Sequence, residues 1–206
     1  FEAMDQGKFQ YDTLLSCSEH AASMGGSQIW LEPGEEMTVD EILRATFISS
    51  ANDAAVVLAE AVAGSEDAFV SMMNEKAKEL GMENTHFANA TGLDAQEHYS
   101  TARDIALMSA ALLRYPDVTR YSTVWMDSLR GGTTELVNTN KMVRFYNGAT
   151  GLKTGTTNGA GSCLSASAQR DNLSLIAVSL GSDTSAQRFA SCRTLLDYGF
   201  ANYVTV

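Results

Sequence analysis

Cysteine and long apolar runs are both scarce in this sequence, and each shortage argues against a class of protein. The three cysteines, Cys17, Cys163 and Cys192, are too few and too scattered for a disulfide framework. No Cys-x-x-Cys and no metal-like Cys/His spacing occurs, so we expect no metal site. No uncharged apolar run approaches the roughly 18 residues that a membrane-spanning helix needs. The sequence therefore predicts no membrane span.

Positive charge is also scarce. The chain has 14 lysines and arginines against 25 aspartates and glutamates, which gives a formal net charge of −11. A protein that binds nucleic acid uses a basic surface to displace counterions from the phosphates. The composition therefore argues against nucleic acid as a partner. With 45% hydrophobic and 19% charged residues, it is otherwise that of a globular protein of one domain.

The first residues read as part of a longer element. The chain opens with "FEAMDQGKF", without an initiator methionine, and this stretch resembles the second half of an amphipathic helix. We expect the true beginning of the protein to lie upstream of Phe1. The lack of a targeting signal in the given sequence therefore decides nothing about localisation.

Helices dominate the predicted first half of the chain. Capping residues predict three helix starts, at Thr38, where Glu41 completes a capping box, at Ser65 and at Thr101. The first of these helices is predicted to break at "SSAND", residues 49–53. The helix that follows the break is apolar on nearly every side, which predicts a central position in the core.

The second half is predicted to form a sheet. Two pairs of strand-like segments flank the turn signals "RGG" and "DN", and each pair reads as a β-hairpin. The last strand, "LSLIAVSLG", is predicted to be largely buried. A closing helix is predicted to turn a core face inward, formed by Phe189, Leu195, Leu196 and Phe200.

These elements predict the α+β class, with one domain over residues 1–206. Within it we expect a helical sub-domain at about residues 20–119. An antiparallel sheet with a C-terminal helix is expected at about residues 120–206.

Two short motifs remain once the common catalytic motifs are excluded. The sequence has no Gly-x-Ser-x-Gly elbow, no P-loop and no Gly-x-Gly-x-x-Gly that opens a helix. What remains is Ser50-Ala51-Asn52 at the helix break and Lys153-Thr154-Gly155 at a strand start. Both also have a structural interpretation, as a helix-break pair and as a glycine-rich surface loop. The residues alone leave both interpretations open.

Longer stretches around these motifs resemble a known family. Over nearly its whole length the chain is similar to the serine D-alanyl-D-alanine carboxypeptidases, the low-molecular-mass penicillin-binding proteins. That family uses the motifs Ser-x-x-Lys, Ser-x-Asn and Lys-Thr-Gly. The resemblance implies a β-lactamase/DD-peptidase-like fold, with helices flanking an antiparallel sheet. It rests on the segments "ISSANDAAVVLAE", "NTHFANATGLDAQEHYSTARDIALMSAAL", "NTNKMVRFYNGATGLKTGTTNGAGSCLSASAQRDNLSLIAVSLG" and "RTLLDYGFANY".

The resemblance implies catalytic roles for three residues. Lys153 would supply a fixed positive charge and hydrogen-bond Ser50. Ser50 would relay a proton to the leaving amine, and Asn52 would hold the amide carbonyl of the substrate.

The resemblance also implies a substrate-binding strand that begins at Lys153. The Thr154 hydroxyl would donate to the terminal carboxylate of the substrate. Gly155 would let the substrate lie against the strand as an added β-strand. The Thr156 N–H would stabilise the oxyanion. No metal or organic cofactor is implied.

The first motif of the family is absent from the 206 residues. None of the five lysines follows a serine by three positions; the residues three before them are Asp5, Met73, Glu75, Asn138 and Thr150. We expect Ser-x-x-Lys about ten residues before Phe1, together with the first strands of the sheet. Apolar surface is then left uncovered in the given chain. We therefore predict that the chain alone is inactive and forms no penicillin adduct, whereas an N-terminally complete chain forms one.

The resemblance implies an enzyme that trims the terminal D-alanine from peptidoglycan stem peptides through an acyl-enzyme and is inhibited by β-lactams. It implies secretion to the outer side of the bacterial cytoplasmic membrane, and leaves open a membrane attachment through segments outside this sequence. Two alternatives remain. One is a class A β-lactamase, with Glu97 as its deacylating glutamate. The other is a non-catalytic peptidoglycan-binding module.

Overall fold

The structure is a computed structural model and describes residues 1–205. The α-helices in this range are α1 Glu2–Asp5, α2 Glu19–Ala22, α3 Val39–Arg44, α4 Asn52–Ala63, α5 Glu66–Glu79, α6 Ala102–Leu112, α7 Val118–Ser122, α8 Met142–Phe145 and α9 Ser185–Asn202. The strands are β1 Leu14–Ser16, β2 Glu36–Thr38, β3 Met126–Leu129, β4 Thr134–Val137, β5 Ala149–Thr157, β6 Gly161–Arg170 and β7 Leu173–Ser182.

The helix starts follow the capping residues. Thr38 accepts a hydrogen bond from the backbone N–H of Glu41, and the Glu41 carboxylate accepts one from the backbone N–H of Thr38. Ser65 and Thr101 cap α5 and α6 in the same way, each through its side-chain oxygen. Because each cap satisfies an orphan N–H of the first turn, short polar side chains fix these starts. All three predicted starts are confirmed.

The predicted helix break is also present. A single π-helical turn, Ala45–Ser49, continues α3, and Ser50 then adopts a left-handed conformation with φ 61°. Helix α4 begins two residues later and buries most of its first half, including Val56 and Val57. Its central position is confirmed.

The main sheet has three antiparallel strands in the order β5-β6-β7. The predicted hairpin across Asp171 and Asn172 joins β6 to β7. The prediction that the last strand is largely buried is wrong, because Ala177 is its single buried residue. Strand β6 lies between its neighbours and carries the buried run instead, over residues 164–168.

Helix α9 packs on this sheet through a narrower face than the sequence predicts. Leu196 is buried as expected, and Phe189 and Phe200 pack at the margin of the core. Leu195 is 51% exposed, so its assignment to the core face is wrong. The helical period places Arg188, Cys192, Leu196 and Gly199 on the inner face.

The described residues form two main hydrophobic cores. The first joins α3, α4 and the chain's early loops with Leu129 and Leu136 of the β3–β4 hairpin. The second lies between the three-stranded sheet and α9. The sub-domain division near residue 119 stays a prediction. Among residues 1–205, every helix lacks the length or the apolarity needed to cross a membrane.

Candidate active site

The two sequence motifs meet in space. Lys153 lies on β5, and its Nζ donates hydrogen bonds to Ser50 Oγ at 2.6 Å and to the Thr154 carbonyl at 2.9 Å. Ser50 lies 103 positions earlier, at the break before α4. A left-handed conformation is uncommon for serine, and it ends one helix so that the next can start at a new angle. The break therefore sets the serine hydroxyl against the sheet.

The charge of Lys153 is poorly compensated within residues 1–205. Burial and, to a lesser extent, repulsion from Arg188 lower the pKa of Lys153 to about 8. No carboxylate forms an ion pair with Lys153 in the described part of the chain. A half-buried ammonium with hydroxyl and carbonyl partners alone retains capacity for an anion.

Arg188 is a site residue that the sequence did not reveal. It is 6% exposed, and its Nη1 donates to the Gly155 carbonyl at 2.8 Å, to Thr156 Oγ1 at 2.9 Å and to the Cys163 carbonyl at 3.2 Å. Its Nε is buried without a partner among residues 1–205. Burial lowers the pKa of Arg188, and no described carboxylate pairs with it either. A second uncompensated cation thus stands beside the same strand.

Thr139 is the other residue that the sequence left out. The Thr154 side chain is buried, and its hydroxyl donates to Thr139 Oγ1 at 2.6 Å. The Thr139 backbone N–H in turn donates to the Ile48 carbonyl, two residues before Ser50. Thr139 is partly exposed, so its own hydroxyl proton is available to a ligand.

Asn52 lies two residues after Ser50, but its side chain bonds elsewhere. Its Nδ2 donates to the Gly25 carbonyl at 2.8 Å, and its backbone N–H donates to the Ser27 carbonyl at 2.8 Å. Within residues 1–205 no hydrogen bond joins Asn52 to Ser50 or Lys153. One Nδ2 hydrogen remains free, because an amide NH2 carries two.

Gly26 determines where the Asn52 side chain lies. Gly26 has φ +79°, and a Cβ at this position would lie 2.7 Å from Asn52 Nδ2. We expect Gly26→Ala to displace the amide and lower the free energy of unfolding by about 1–3 kcal/mol, measured by urea denaturation. Gly25→Ala is the matched control, since nothing lies within 4 Å of a Cβ there. Equal losses in the two variants would contradict this account.

Gly155 and Thr156 occupy the open part of β5. Both are exposed, and a Cβ at Gly155 would meet no atom of the chain within 4 Å. The packing of the chain therefore does not require glycine at position 155, and the space above it is free for a ligand. The Thr156 hydroxyl accepts from Arg188, so its side chain is engaged on the α9 side.

An acidic loop residue closes the far end of the strand. The Asp94 carboxylate accepts hydrogen bonds from the Thr157 hydroxyl and from the Gly159 N–H at 2.9 Å. The Thr157 hydrogen bond, followed by that of Gly159, lowers the pKa of Asp94. Glu97 is exposed, and its backbone carbonyl lies 2.6 Å from His86 Nδ1. No cluster of three or more metal-ligating side chains occurs within residues 1–205.

Comparison with known proteins shows the family of this chain. The family model described as D-alanyl-D-alanine carboxypeptidase, peptidase family S11, matches residues 1–184. The chain belongs to the D-alanyl-D-alanine carboxypeptidase family. D-alanyl-D-alanine carboxypeptidase DacF of Bacillus subtilis is 50% identical over 207 residues, which cover 99% of this chain and 53% of that protein. The chain spans about half the length of the curated relatives that it matches.

Solved carboxypeptidase-family structures share the fold. Penicillin binding protein 6B from Escherichia coli superposes with a TM-score of 0.92 at 33% identity and covers all of this chain and 67% of its own. The ampicillin-bound penicillin-binding protein D2 from Listeria monocytogenes superposes with a TM-score of 0.81 at 30% identity, over 97% of this chain and 81% of its own. The predicted α+β, DD-peptidase-like fold is confirmed.

Proposed function

We propose that the protein is the substrate-binding and proton-relay part of a serine D-Ala-D-Ala carboxypeptidase. The observation that carries this proposal is the 2.6 Å hydrogen bond from Lys153 to Ser50, made across two motifs 103 residues apart. The substrate is a peptidoglycan stem peptide that ends in D-Ala-D-Ala, and β-lactams are the inhibitors. The reaction then takes place outside the bacterial cytoplasmic membrane, where this substrate is found.

The substrate carboxylate binds at the cations beside β5. Lys153 and Arg188 are both partly or fully buried without a carboxylate partner in residues 1–205. Two such cations in a chain of net charge −11 favour an anionic ligand, because its charge offsets their mutual repulsion. The Thr154 hydroxyl is engaged with Thr139, so the Thr139 hydroxyl donates to the carboxylate in its place or relays the Thr154 proton.

The acyl-transfer step uses Ser50 as the proton carrier. A serine oxygen attacks the amide carbonyl, the C–N bond breaks, and the departing D-alanine amine must gain a proton. The Ser50 hydroxyl gives its proton to this amine and regains one from the nucleophile's side of the site, while the Lys153 ammonium donates to its oxygen. The nucleophile itself lies outside the Ser50 and Lys153 motifs, and no Ser-x-x-Lys occurs in the 206 residues.

The remaining site residues orient the peptide. The peptide lies along the free face of β5 at Gly155, and the Thr156 N–H donates to the developing oxyanion. The free hydrogen of Asn52 Nδ2 donates to an amide carbonyl of the substrate. A class A β-lactamase is disfavoured, because within residues 1–205 the Glu97 carboxylate forms no hydrogen bond with Ser50 or Lys153.

Binding of a D-Ala-D-Ala tripeptide tests the proposal without requiring catalysis. We expect the free acid to bind the 206-residue chain at least about tenfold more tightly than its C-terminal amide, measured by calorimetry. Gly155→Ala is expected to weaken this binding about tenfold, because the added methyl group would contact the ligand and no atom of the chain. The free energy of unfolding of this variant should lie within about 0.5 kcal/mol of that of the parent. Equal affinities for acid and amide would refute the carboxylate site.

The affinity for the free acid should depend on pH through Lys153. Because the pKa of this ammonium is about 8, the group is charged below pH 8 and neutral above it. A bound carboxylate favours the charged form, so binding raises the lysine pKa. Affinity is therefore expected to be constant below pH 8 and to fall by up to about tenfold per pH unit above it. Titration calorimetry from pH 6 to 10 checks this, with the peptide amide showing no such fall.

A further inference from the structure

Trp30 is presented to solvent in a strained conformation. Its side chain is 75% exposed, more than any other aromatic side chain among residues 1–205. Its backbone has φ 59°, in the left-handed region that bulky residues rarely adopt. A large apolar ring in such a position costs free energy twice, through exposure and through strain. The surrounding structure must therefore hold it there.

A buried carboxylate holds the residues on both sides of Trp30. Asp53 is fully buried, and its carboxylate accepts hydrogen bonds from the Ile29 N–H at 3.2 and 3.3 Å and from the Leu31 N–H at 3.1 Å. Ile29 and Leu31 are themselves buried in the first core. Both neighbours thus point inward, and the tryptophan between them is forced outward.

An ion pair also holds residues 29–31, the turn that carries Trp30. Arg130 pairs with Glu35 through two hydrogen bonds of 2.7 and 3.0 Å. The same guanidinium donates to the Ile29 carbonyl at 2.8 Å and more weakly to the Trp30 carbonyl at 3.4 Å. Bidentate arginine–carboxylate pairs fix geometry well, so the turn is rigid. The backbone position of Trp30 is therefore fixed by the fold.

The turn with Trp30 belongs to the same loop that supports Asn52. Gly25 and Ser27 accept the two Asn52 hydrogen bonds, and Asp53 is the next residue along α4. Trp30 is three positions after Ser27, which is at most about 11 Å of chain. Trp30 is therefore close along the chain to the backbone that binds Asn52, one of the candidate catalytic residues.

The surroundings of Trp30 indicate the kind of ligand. Ser27 and Glu32 are exposed, and Gln28 is partly exposed, so polar groups flank the ring. Its apolar sequence neighbours Ile29 and Leu31 are buried, so this segment alone does not offer the contiguous apolar patch that a second copy of the chain would need. The nearby Glu32 also opposes an anionic bilayer, which basic residues would attract. One aromatic face flanked by hydroxyl, amide and carboxylate groups matches a sugar, whose C–H face stacks while its hydroxyls form hydrogen bonds.

We infer that Trp30 is a stacking platform for an N-acetylhexosamine ring of the glycan strand that carries the stem peptide. The inference rests on the proposed function for the identity of the strand and deepens it, because it adds a glycan subsite to the peptide site. The indole face binds the sugar, and the rigid turn keeps the ring at a fixed place relative to Asn52. A glycan-linked peptide then makes two contacts where a free peptide makes one.

A sugar that carries no peptide tests this subsite alone. The probe is the β-1,4-linked tetramer of N-acetylglucosamine, added to a Trp125→Phe variant in which Trp30 is the single tryptophan. We expect the Trp30 fluorescence to shift to shorter wavelength and to saturate. In calorimetry, Trp30→Ala should weaken binding at least tenfold and Trp30→Phe about threefold. Tyr198→Ala, which removes a 60% exposed tyrosine from α9, should change nothing.

Three results would overturn the inference. One is a Trp30→Ala variant that binds the tetramer as tightly as the parent does, or a parent protein that does not bind the tetramer. Another is a marked loss of stability in Trp30→Gly, which should instead relieve strain, leave urea unfolding unimpaired and still abolish binding. The third is dimerisation, or binding to phosphatidylglycerol vesicles, that Trp30→Ala removes. The D-Ala-D-Ala tripeptide should bind Trp30→Ala as it binds the parent; its failure to bind either protein would refute the proposed function and leave the tetramer result to decide the glycan subsite.

Discussion

Incubation of the 206-residue chain with ampicillin is expected to leave its mass unchanged. Acylation requires a serine activated by a neighbouring base, and the family supplies both through Ser-x-x-Lys. No lysine of this chain follows a serine by three positions. The serine at the proposed site, Ser50, accepts a hydrogen bond from an ammonium that is mostly protonated at pH 7, so no base withdraws its proton. The expected ratio of adduct to protein in intact mass spectrometry is therefore zero.

The experiment needs a positive control and a site map. The Listeria monocytogenes penicillin-binding protein D2, which has been crystallised with ampicillin bound, should gain the mass of one ampicillin under the same conditions. Any adduct on the 206-residue chain would be located by peptide mapping. An adduct on Ser50 would show that this serine is the nucleophile and would end its assignment as the proton carrier.

Local sequence signals determined much of the fold. Caps such as Thr38 and the helix break at Ser50 depend on hydrogen bonds within a few residues, and these were predicted correctly. The predicted burial of the last strand was wrong, because burial in a sheet depends on neighbours that are distant in the sequence. The last strand is apolar enough for a sheet interior, yet β6 takes the central position, so most of the β7 residues are only partly buried.

The site was predicted in part for the same reason. Lys153 and Ser50 were found through the family motifs, and the structure places them in contact. Arg188 and Thr139 were missed, because an arginine on an amphipathic helix and a threonine in a loop carry no signal of their own. Trp30 was also missed, since its left-handed backbone follows from hydrogen bonds to Asp53 and Arg130 that are remote in sequence. Tertiary contacts of this kind are invisible to periodicity and capping rules.

Replacing Lys153 by methionine is expected to stabilise the protein and to weaken its binding of the carboxylate ligand. Methionine keeps the length of the side chain without the charge. Burial lowers the lysine pKa from 10.5 to about 8, so the native state disfavours the charge by about 3 kcal/mol at pH 7. Loss of the hydrogen bonds to Ser50 and to the Thr154 carbonyl offsets about half of this. We therefore expect a gain of about 1–2 kcal/mol in the free energy of unfolding at pH 7.

The ligand affinity should change in the opposite direction. A charge-assisted hydrogen bond to a carboxylate contributes about 1.5–3 kcal/mol, so the free-acid tripeptide should bind Lys153→Met about 10- to 100-fold more weakly. Lys141→Met is the matched control, because Lys141 is exposed and its loss changes the net charge equally. A stable variant that keeps its affinity would show that the lysine does not contact the ligand.

The pH dependence of stability separates this charge effect from a general packing effect. Between pH 8 and pH 10.5 the native lysine has lost its proton while the unfolded lysine still carries one, so the lysine's contribution to stability rises with pH in this window. Burial also raises the pKa of the Cys17 and Cys192 thiols to about 11, and these groups lower the stability of both proteins over part of the same range. The difference between Lys153→Met and the parent cancels the thiol contribution. The free energy of unfolding of Lys153→Met minus that of the parent should fall by about 3 kcal/mol from pH 8 to pH 10.5 and change sign from a gain to a loss. A difference independent of pH would mean that the ammonium is not held in a desolvated site.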